Sequence, residues 1–197
     1  MPPSAVSAPE PNIDSPNIPT FAVPPTIGDI EQMNGLPNIH PVMVPQTVPT
    51  APGTSTRFSL KGPANSISFW NLHGTGEGVP LSDMRIKKFS GLAGPDDVVL
   101  ERHGCQIMLH VNWPGYKEWR SPLRTRNQKC KTSVAATRGT LAHRVALRMQ
   151  RFIEDQKNEP QPEEWVVGEG GIELDNLLLL RLVQITQGAW RAEFAVM

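Results

Sequence analysis

The sequence predicts an α+β fold: a small antiparallel sheet with one main amphipathic helix packed on it, preceded by a long disordered Pro-rich N-terminal arm. From Gln106 to Trp113, apolar and polar residues alternate with the period of a half-buried strand. From Leu141 to Ile153, apolar residues recur at helical spacing. Thirteen of the twenty prolines lie at or before Pro52, and proline removes a backbone donor and disfavours helix in its predecessor.

The composition divides the chain into two regions. Residues 1–65 are expected to form a disordered, acidic, Pro-rich arm, because residues 1–56 hold four acids and no Lys or Arg. Few large apolar side chains are present there to offset the entropy of ordering. Pro16 and Pro19 form a PxxP pair, a weak signal for docking on another protein. Residues 66–197 are expected to form a single α+β domain.

Two helices are expected in the second region. The main helix begins after Thr137 or Thr140, either of which can cap it, and it ends before Pro160, which forbids continuation. A shorter helix is expected between Ser82 and Leu92, where apolar residues lie at loose helical spacing. The main helix supplies most of the apolar surface that the sheet needs for a core.

An internal hairpin is expected at residues 96–113. The His-Gly pair at 103–104 is its turn, because glycine can adopt a positive φ. The Pro-Gly pair at 114–115 ends its second strand. The polar stretch 120–134 is expected to be a loop, and a helix-turn-helix is not favoured because that motif needs a packed helix in this place.

A second hairpin is expected at the C-terminus. Residues 190–196 alternate as a strand, and the Gln-Gly pair at 187–188 is suited to a turn. The four leucines at 177–180 favour a helix. Strand and helix therefore both stay open for residues 177–187, and the hairpin is preferred.

Charge is unevenly distributed although the formal net charge is zero. Ten bases and one acid lie between Lys117 and Arg151, whereas residues 154–175 hold eight acids and one base. Bases of this kind neutralise phosphates. The predicted nucleic-acid or anion contacts are Arg120, Arg124, Arg126, Lys129, Lys131, Arg144, Arg148 and Arg151. The alternative is that they form a solvated face or pair with the acidic 154–175 segment.

Several function classes lack support in the sequence. Two cysteines suit a reducing compartment, there is no signal-peptide pattern, and no apolar run reaches the roughly 18 residues of a membrane helix. We therefore expect an intracellular protein of the nucleus or cytoplasm. No catalytic motif is found, and His103, Cys105, His110 and Cys130 lack the spacing of a metal site. We expect no enzyme, no cofactor and no metal.

Three aromatic residues surround the Pro-Gly pair at 114–115. Trp113 lies on the apolar side of its strand and is expected to be buried, whereas Tyr116 and Trp119 flank the turn and are candidates for an aromatic surface. The favoured alternative is a structural corner that leads into the basic loop. The pattern is locally similar to the strand end of chromodomains, and that resemblance implies an aromatic cage for methylated lysine. Arg120 and Ser121 follow Trp119 where chromodomains usually have Glu-Pro, so the resemblance is short.

A longer resemblance rests on three separated motifs. WPGY ends a strand at 113–116, TRGTLAHRVALRMQRFIE forms a helix at 137–154, and LLLLRLVQITQGAW covers 177–190. Together they resemble an uncharacterised family of proteins from mushroom-forming fungi, with a TRxxLAxxVA helix and a late G-[SA]-W. The resemblance spans roughly residues 67–194 and implies a fungal source and one continuous domain, without an activity.

The sequence thus predicts a non-enzymatic interaction protein whose basic loop and helix edge, residues 117–151, contact an anionic partner, nucleic acid or an acidic protein. One alternative is a protein–protein interaction module that uses the Pro-rich arm or a sheet edge. Another is a chromodomain-like reader with an aromatic cage. An enzyme of unrecognised type is the third. The oligomeric state stays open.

Overall fold

A computed structural model describes residues 41–46, 65–73, 76–129, 132–157, 159–160, 162 and 164–197. Most of the predicted arm, including the PxxP pair, lies outside these residues. The prediction that the arm is disordered concerns the same undescribed part of the chain. In the described part of the chain, no helix is both long and apolar enough to cross a membrane.

The fold is α+β, as predicted. The strands are β1 (Val42–Met43), β2 (Ser66–Ser68), β3 (Val79–Pro80), β4 (Gln106–Val111), β5 (Trp119–Arg124), β6 (Arg126–Lys129), β7 (Thr132–Ala135), β8 (Leu177–Gln184) and β9 (Ala189–Val196). The helices are α1 (Leu81–Arg85), α2 (Arg138–Gln156) and a short 3-10 turn (Leu174–Asn176). The main sheet has the order β2–β8–β9–β4–β5, with β3 beside β8 and β1 beside β9, and β6 and β7 form a separate two-stranded ribbon.

The sheet is mixed rather than wholly antiparallel. β4 and β9 run parallel, with Leu109 opposite Trp190, and the other strand pairs are antiparallel. The prediction of an antiparallel sheet missed this pair because β4 and β9 are far apart in sequence and joined by a crossover that contains α2. Parallel pairing needs a long connection of this kind.

The main helix is present where the sequence predicts it. α2 begins after Thr137, whose side chain accepts a hydrogen bond from Thr140 N at 3.3 Å. Its buried stripe includes Leu141, Val145 and Phe152, and it packs with the inward residues of the sheet in one core. The helix therefore covers one face of the sheet, and the other face carries charged residues and a small apolar cluster.

The C-terminal hairpin is also confirmed, and the four leucines belong to a strand. All four are buried, but on different faces: Leu177 and Leu179 join the main core, and Leu178 and Leu180 form a second small cluster with Ala195. A strand buried on both faces reads as a continuous apolar run instead of alternating. This is why the four leucines resembled a helix.

The predicted hairpin at residues 96–113 is wrong in its first strand. β4 is present, but its partners are β5 and β9. Val98 instead forms a single bridge with Thr137, and Val99 N donates to Ala136 O at 3.0 Å. The segment is held at the start of α2, and Leu100 turns it with φ +59°.

The stretch predicted as a polar loop forms β5, β6 and β7. Ser121, Leu123 and Thr125 are buried on alternate positions. Because two of these three buried residues are polar, the sequence shows only a weak strand pattern here. Pro122 lies within β5 and is compatible with it because β5 is an edge strand of the sheet.

One piece of the predicted arm is part of the fold. β1 pairs with the end of β9, and Val44 is only 3% exposed. Gln46 Nε2 donates to Ala192 O at 2.5 Å, and its Oε1 accepts from Asn112 N at 3.3 Å. Gln46 thus bridges β9 and the end of β4. Residues 42–46 are therefore held to the sheet by hydrogen bonds, although their composition predicts that they belong to the arm.

The predicted short helix is shorter than expected. α1 begins at Leu81, after Pro80 rather than after Ser82, and ends at Arg85. Lys87 follows with φ +61°, which stops the helix. Leu81 and Met84 bury its apolar side.

Candidate nucleic-acid interface

One side of α2 lies along β5. Arg144 Nη1 donates to Arg124 O at 2.8 Å, at the end of β5. Trp119 Nε1 donates to Asp155 Oδ2 at 3.2 Å, at the start of β5. The two contacts fix α2 antiparallel to β5.

The lengths of the two elements agree. From Arg144 to Asp155 the helix rises by about 16 Å at 1.5 Å per residue. From Trp119 to Arg124 the strand also rises by about 16 Å at 3.3 Å per residue. Arg148 lies four residues after Arg144 on the same stripe, so it lies between the two contacts, as Arg151 does.

Six of the predicted contact residues lie on neighbouring elements at one border of the domain, with the arginines of α2 on the helix side of the sheet and Arg120 and Arg124 on the outward side of β5. We name this border the basic edge; it consists of Arg120, Arg124, Arg126, Arg144, Arg148 and Arg151. The side chain of Lys129 is not described, although its backbone belongs to β6, and Lys131 lies outside the described residues.

Arg144 has a structural role as well as a charge. Besides its bond to Arg124 O, its Nη2 donates to Asn127 Oδ1, so one guanidinium ties α2 to β5 and to the ribbon. Burial lowers the pKa of Arg144, and the like charge of Arg124 lowers it further. Arg124 therefore adds a second positive charge near Arg144 at this end of the basic edge.

Arg126 ties the ribbon to its surroundings. Its Nη2 donates to Glu101 O at 2.9 Å and its Nη1 to Ser133 O at 3.3 Å. Both acceptors are backbone oxygens, so the charge of Arg126 is not neutralised by these bonds. The ribbon is thus anchored at its base.

Among the six arginines of the basic edge, the alternative that the basic residues pair with the acidic segment holds for Arg151. Arg151 Nε lies 2.9 Å from Asp155 Oδ1 in an i,i+4 pair. Arg120 pairs with Glu118 instead. Within the described ranges, Arg124 and Arg148 have no acid within ion-pair distance, and both keep a full charge available at the border.

Tyr116 and Trp119 do not form an open aromatic surface. Both are half-buried, and with Trp113 they surround the ring of Phe152 at centroid distances of 6.2, 5.7 and 5.9 Å. Tyr116 OH accepts a hydrogen bond from Val167 N at 3.2 Å. The space that a methylated lysine would occupy in a cage is filled here by the phenyl ring.

The sheet face opposite α2 carries charges that neutralise one another. Arg181 Nε and Arg191 Nη2 each lie 2.7 Å from a carboxylate oxygen of Glu193. Arg181 also lies 3.8 Å from Glu77. Further along, His110 Nδ1 lies 2.8 Å from Glu118 Oε1. Because bases and acids are paired on this face, an anion is expected to bind it more weakly than it binds the basic edge.

Glu193 makes stability depend on pH. Burial would raise the pKa of Glu193, but the hydrogen bonds and charges of Arg181 and Arg191 outweigh burial and lower it. A lowered folded-state pKa gives stability that is present above the unfolded pKa, about 4.3, and lost as pH falls through the folded value. We expect urea midpoints of the native chain to fall more steeply below pH 5 than those of Glu193→Gln. Glu164→Gln, an exposed control, should follow the native chain; equal slopes for Glu193→Gln would contradict this account.

The described histidines and Cys105 make contacts in different parts of the fold. Among the described residues, no three His, Cys, Asp or Glu side chains come together as a metal site would require. His143 Nδ1 lies 2.9 Å from Met84 O, and the ring of His103 packs against Trp190. Cys105 is a free, exposed thiol, and Cys130 lies outside the described residues.

Sequence reasoning found the arginine stripe but missed the residues that complete the border. Asn127 and the backbone of β5 became visible only with the strand. The alternation of Ser121, Leu123 and Thr125 is the signal that could have predicted it. Comparisons with protein-family models, curated proteins and solved structures found no match for this chain. The resemblance to the fungal family stays a prediction.

Proposed function

We propose that this chain is a non-enzymatic nucleic-acid-binding protein whose basic edge lies along a phosphate backbone. One observation carries the proposal: a helix with a stripe of arginines and an edge strand with arginines on its outward side lie side by side over the same length of about 16 Å, so both sets border one edge of the sheet. Phosphates of one DNA strand follow one another by about 3.4 Å along the helix axis. An edge of this length spans about five of them.

The charge of the basic edge supports the same partner. Six arginines and two paired acids, Glu118 and Asp155, leave a formal charge of +4. Exposed ion pairs contribute little to stability, so phosphates can compete for Arg120 and Arg151. Arginine also binds phosphate with two parallel hydrogen bonds.

The ribbon extends the basic edge. β6 follows β5 after Thr125 alone, and Arg126 begins it. A two-stranded ribbon is narrow enough to enter the major groove of B-DNA. The ribbon therefore suits a contact with the groove while the arginine stripe contacts the backbone.

The other functions have less support. A strand added to the free edge of β5 would meet Pro122, which has no N–H, and the carbonyl oxygen of Arg124, which already accepts from Arg144. An aromatic cage would need the volume that Phe152 fills. Docking through the Pro-rich arm concerns residues that the structure mostly does not describe.

A salt titration tests the proposal. We expect the full chain to bind a 20-base-pair duplex with a slope of log K against log salt of about −3 to −4, from a net of four charges. Arg124→Gln/Arg148→Gln removes two arginines whose side chains, among the described residues, have neither an acid partner nor a hydrogen bond that holds the fold together. It should flatten the slope by about 2 and weaken binding at least about tenfold in low salt. Fluorescence anisotropy measures both.

The matched control removes two charges elsewhere. Arg85→Gln/Lys88→Gln changes the net charge equally at the end of α1 and just after it, at residues outside the basic edge, and it should bind nearly as the native chain does. Equal losses of DNA affinity in the two double variants would show that binding depends on net charge alone. No binding to duplex DNA in low salt would overturn the proposal, and edge-dependent binding of polyglutamate in its place would indicate an acidic protein partner.

A further inference from the structure

The two-stranded ribbon of β6 and β7 has one face that lies toward α2. Arg144 Nη2, on α2, donates to Asn127 Oδ1 at 2.5 Å, so the Asn127 side chain extends toward the helix. Val134 is the direct partner of Asn127 across the ribbon, and direct partners in an antiparallel pair share a face. The face that carries Asn127 and Val134 is therefore on the same side as the arginines of α2.

Both side chains on this face are accessible to solvent. Val134 is 48% exposed, although it is a large apolar residue. Asn127 is half-buried, and its Nδ2 is not one of the buried side-chain atoms that lack a partner. Because Nδ2 also makes no hydrogen bond to a described residue, it keeps accessible surface. An amide donor and an apolar side chain thus lie side by side on an open ribbon.

The bond from Arg144 fixes the orientation of the Asn127 amide. A guanidinium has donors only, so the amide atom that faces it is the carbonyl oxygen and not the nitrogen. The reversed amide would place two donors against each other. Oδ1 keeps a second lone pair, and Nδ2 keeps its hydrogens. The amide can therefore donate one hydrogen bond and accept another, in an order that is set before a ligand arrives.

This pair of groups matches the major-groove edge of one base pair. Adenine presents N7 as an acceptor and its N6 amino group as a donor, and thymine presents a methyl group. Asn127 Nδ2 suits N7, its Oδ1 suits N6, and Val134 suits the methyl group. Guanine has the acceptor O6 in the place of N6, so it would meet Oδ1 as a second acceptor. A freely turning amide would avoid that repulsion, but the Arg144 bond opposes the turn.

We propose that this ribbon face recognises an A·T base pair in the major groove, with Asn127 on adenine and Val134 against the thymine methyl group. The inference rests on the proposed function, which brings a phosphate backbone to the basic edge beside the ribbon. It adds a sequence preference to that function, because phosphate contacts position a protein without distinguishing bases.

A selection by the full chain, in low salt, from duplexes with a randomised centre tests this preference. We expect one position at which A·T is retained in the selected sequences. In the selected duplex, 7-deazaadenine at that position removes N7, and uracil removes the thymine methyl group. The first replacement should weaken binding about tenfold, from the usual worth of a base contact, and the second about threefold, from the loss of one apolar carbon. Fluorescence anisotropy measures both, and the native chain is used throughout.

Two variants assign the contacts to their residues. Asn127→Ala should bind the adenine and 7-deazaadenine duplexes equally, and Val134→Ser should bind the thymine and uracil duplexes equally. A merely structural role of Asn127 would weaken binding to all duplexes alike and leave the cost of 7-deazaadenine unchanged. Arg85→Gln/Lys88→Gln, outside the ribbon, should keep both differences. If Asn127→Ala fails to fold by circular dichroism, the modified duplexes with the native chain decide alone.

Three results would overturn the inference: duplex binding without a base preference, a selected duplex that tolerates 7-deazaadenine, or an Asn127→Ala variant that still distinguishes the two bases. In each of these cases the native chain still binds duplex DNA, so the proposed function stands while the sequence preference fails. Absence of any duplex binding in low salt would overturn the proposed function and this inference with it.

Discussion

Replacing Phe152 with alanine is expected to lower the free energy of unfolding by about 3–5 kcal/mol, the usual cost of removing a buried phenyl ring. Phe152 is fully buried, and the rings of Trp113, Tyr116 and Trp119 surround it within 6.2 Å. Alanine would leave a cavity between α2 and the β4–β5 connection. Three aromatic rings would lose their common contact, and they cannot all move into the space.

Urea unfolding followed by tryptophan fluorescence measures this loss. Leu147→Ala is the matched control, because Leu147 lies on the same helix and is 43% exposed; we expect a change below about 0.5 kcal/mol. A loss under about 1 kcal/mol in Phe152→Ala would show that the aromatic rings do not depend on Phe152. It would also reopen the aromatic cage, because the centre could then be vacated at little cost.

The elements that were predicted from the sequence are those whose signal is local and whose buried face is apolar. α2 has a regular stripe and a capping threonine, so propensity, pattern and cap agree. The alternation of β4 is regular because its inward residues are buried and its outward residues, which include His110, are not. The hairpin of β8 and β9 was found from its turn and from the alternation around Trp190.

The elements that were missed depend on partners far away in the sequence. β1 is held by the end of β9 and by Gln46, and no local pattern distinguishes it from the rest of a Pro-rich arm. The segment from Val98 to Leu100 contains enough apolar residues for a strand, but its backbone is used at the start of α2. Local propensity does not decide such cases, because tertiary contacts do.

In the candidate site, too, the local feature was predicted and the long-range arrangement was not. The arginines of α2 were predicted as a stripe, since helical spacing alone places Arg144, Arg148 and Arg151 together. Their alignment with Arg120 and Arg124 was not predicted, because it requires β5, whose buried face contains Ser121 and Thr125. The alignment of Asn127 with Val134 across the ribbon was not predicted either, because that stretch was expected to be a loop.

The two roles of Arg144 connect the fold to the proposed function. Its guanidinium holds α2 against β5 and the ribbon, so it sets the spacing of the arginines on either side. A phosphate contact then needs little reordering of the basic edge, which reduces the entropy lost on binding. For this reason Arg124 and Arg148, which hold nothing together, are the better residues for a binding test.

Replacing Gly115 with alanine is expected to lower the free energy of unfolding by about 2–4 kcal/mol. Gly115 has φ +81°, a conformation that costs other residues about 1–2 kcal/mol. A Cβ there would also lie 2.4 Å from Pro162 Cβ and 2.7 Å from Pro162 Cγ. The proline ring is stiff, so the backbone that carries it would have to move.

That movement has a local signature that separates it from a general loss of stability. The segment after Pro162 supplies Trp165 O to the Trp113 indole and Val167 N to Tyr116 OH. The Trp113 indole N–H resonance should therefore shift in Gly115→Ala under native conditions, and the Trp190 resonance should not. Gly104→Ala is the control, since a Cβ at Gly104 meets nothing within 4 Å. Gly115→Ala with native stability and an unmoved Trp113 signal would show that the turn at WPGY does not hold this segment in place.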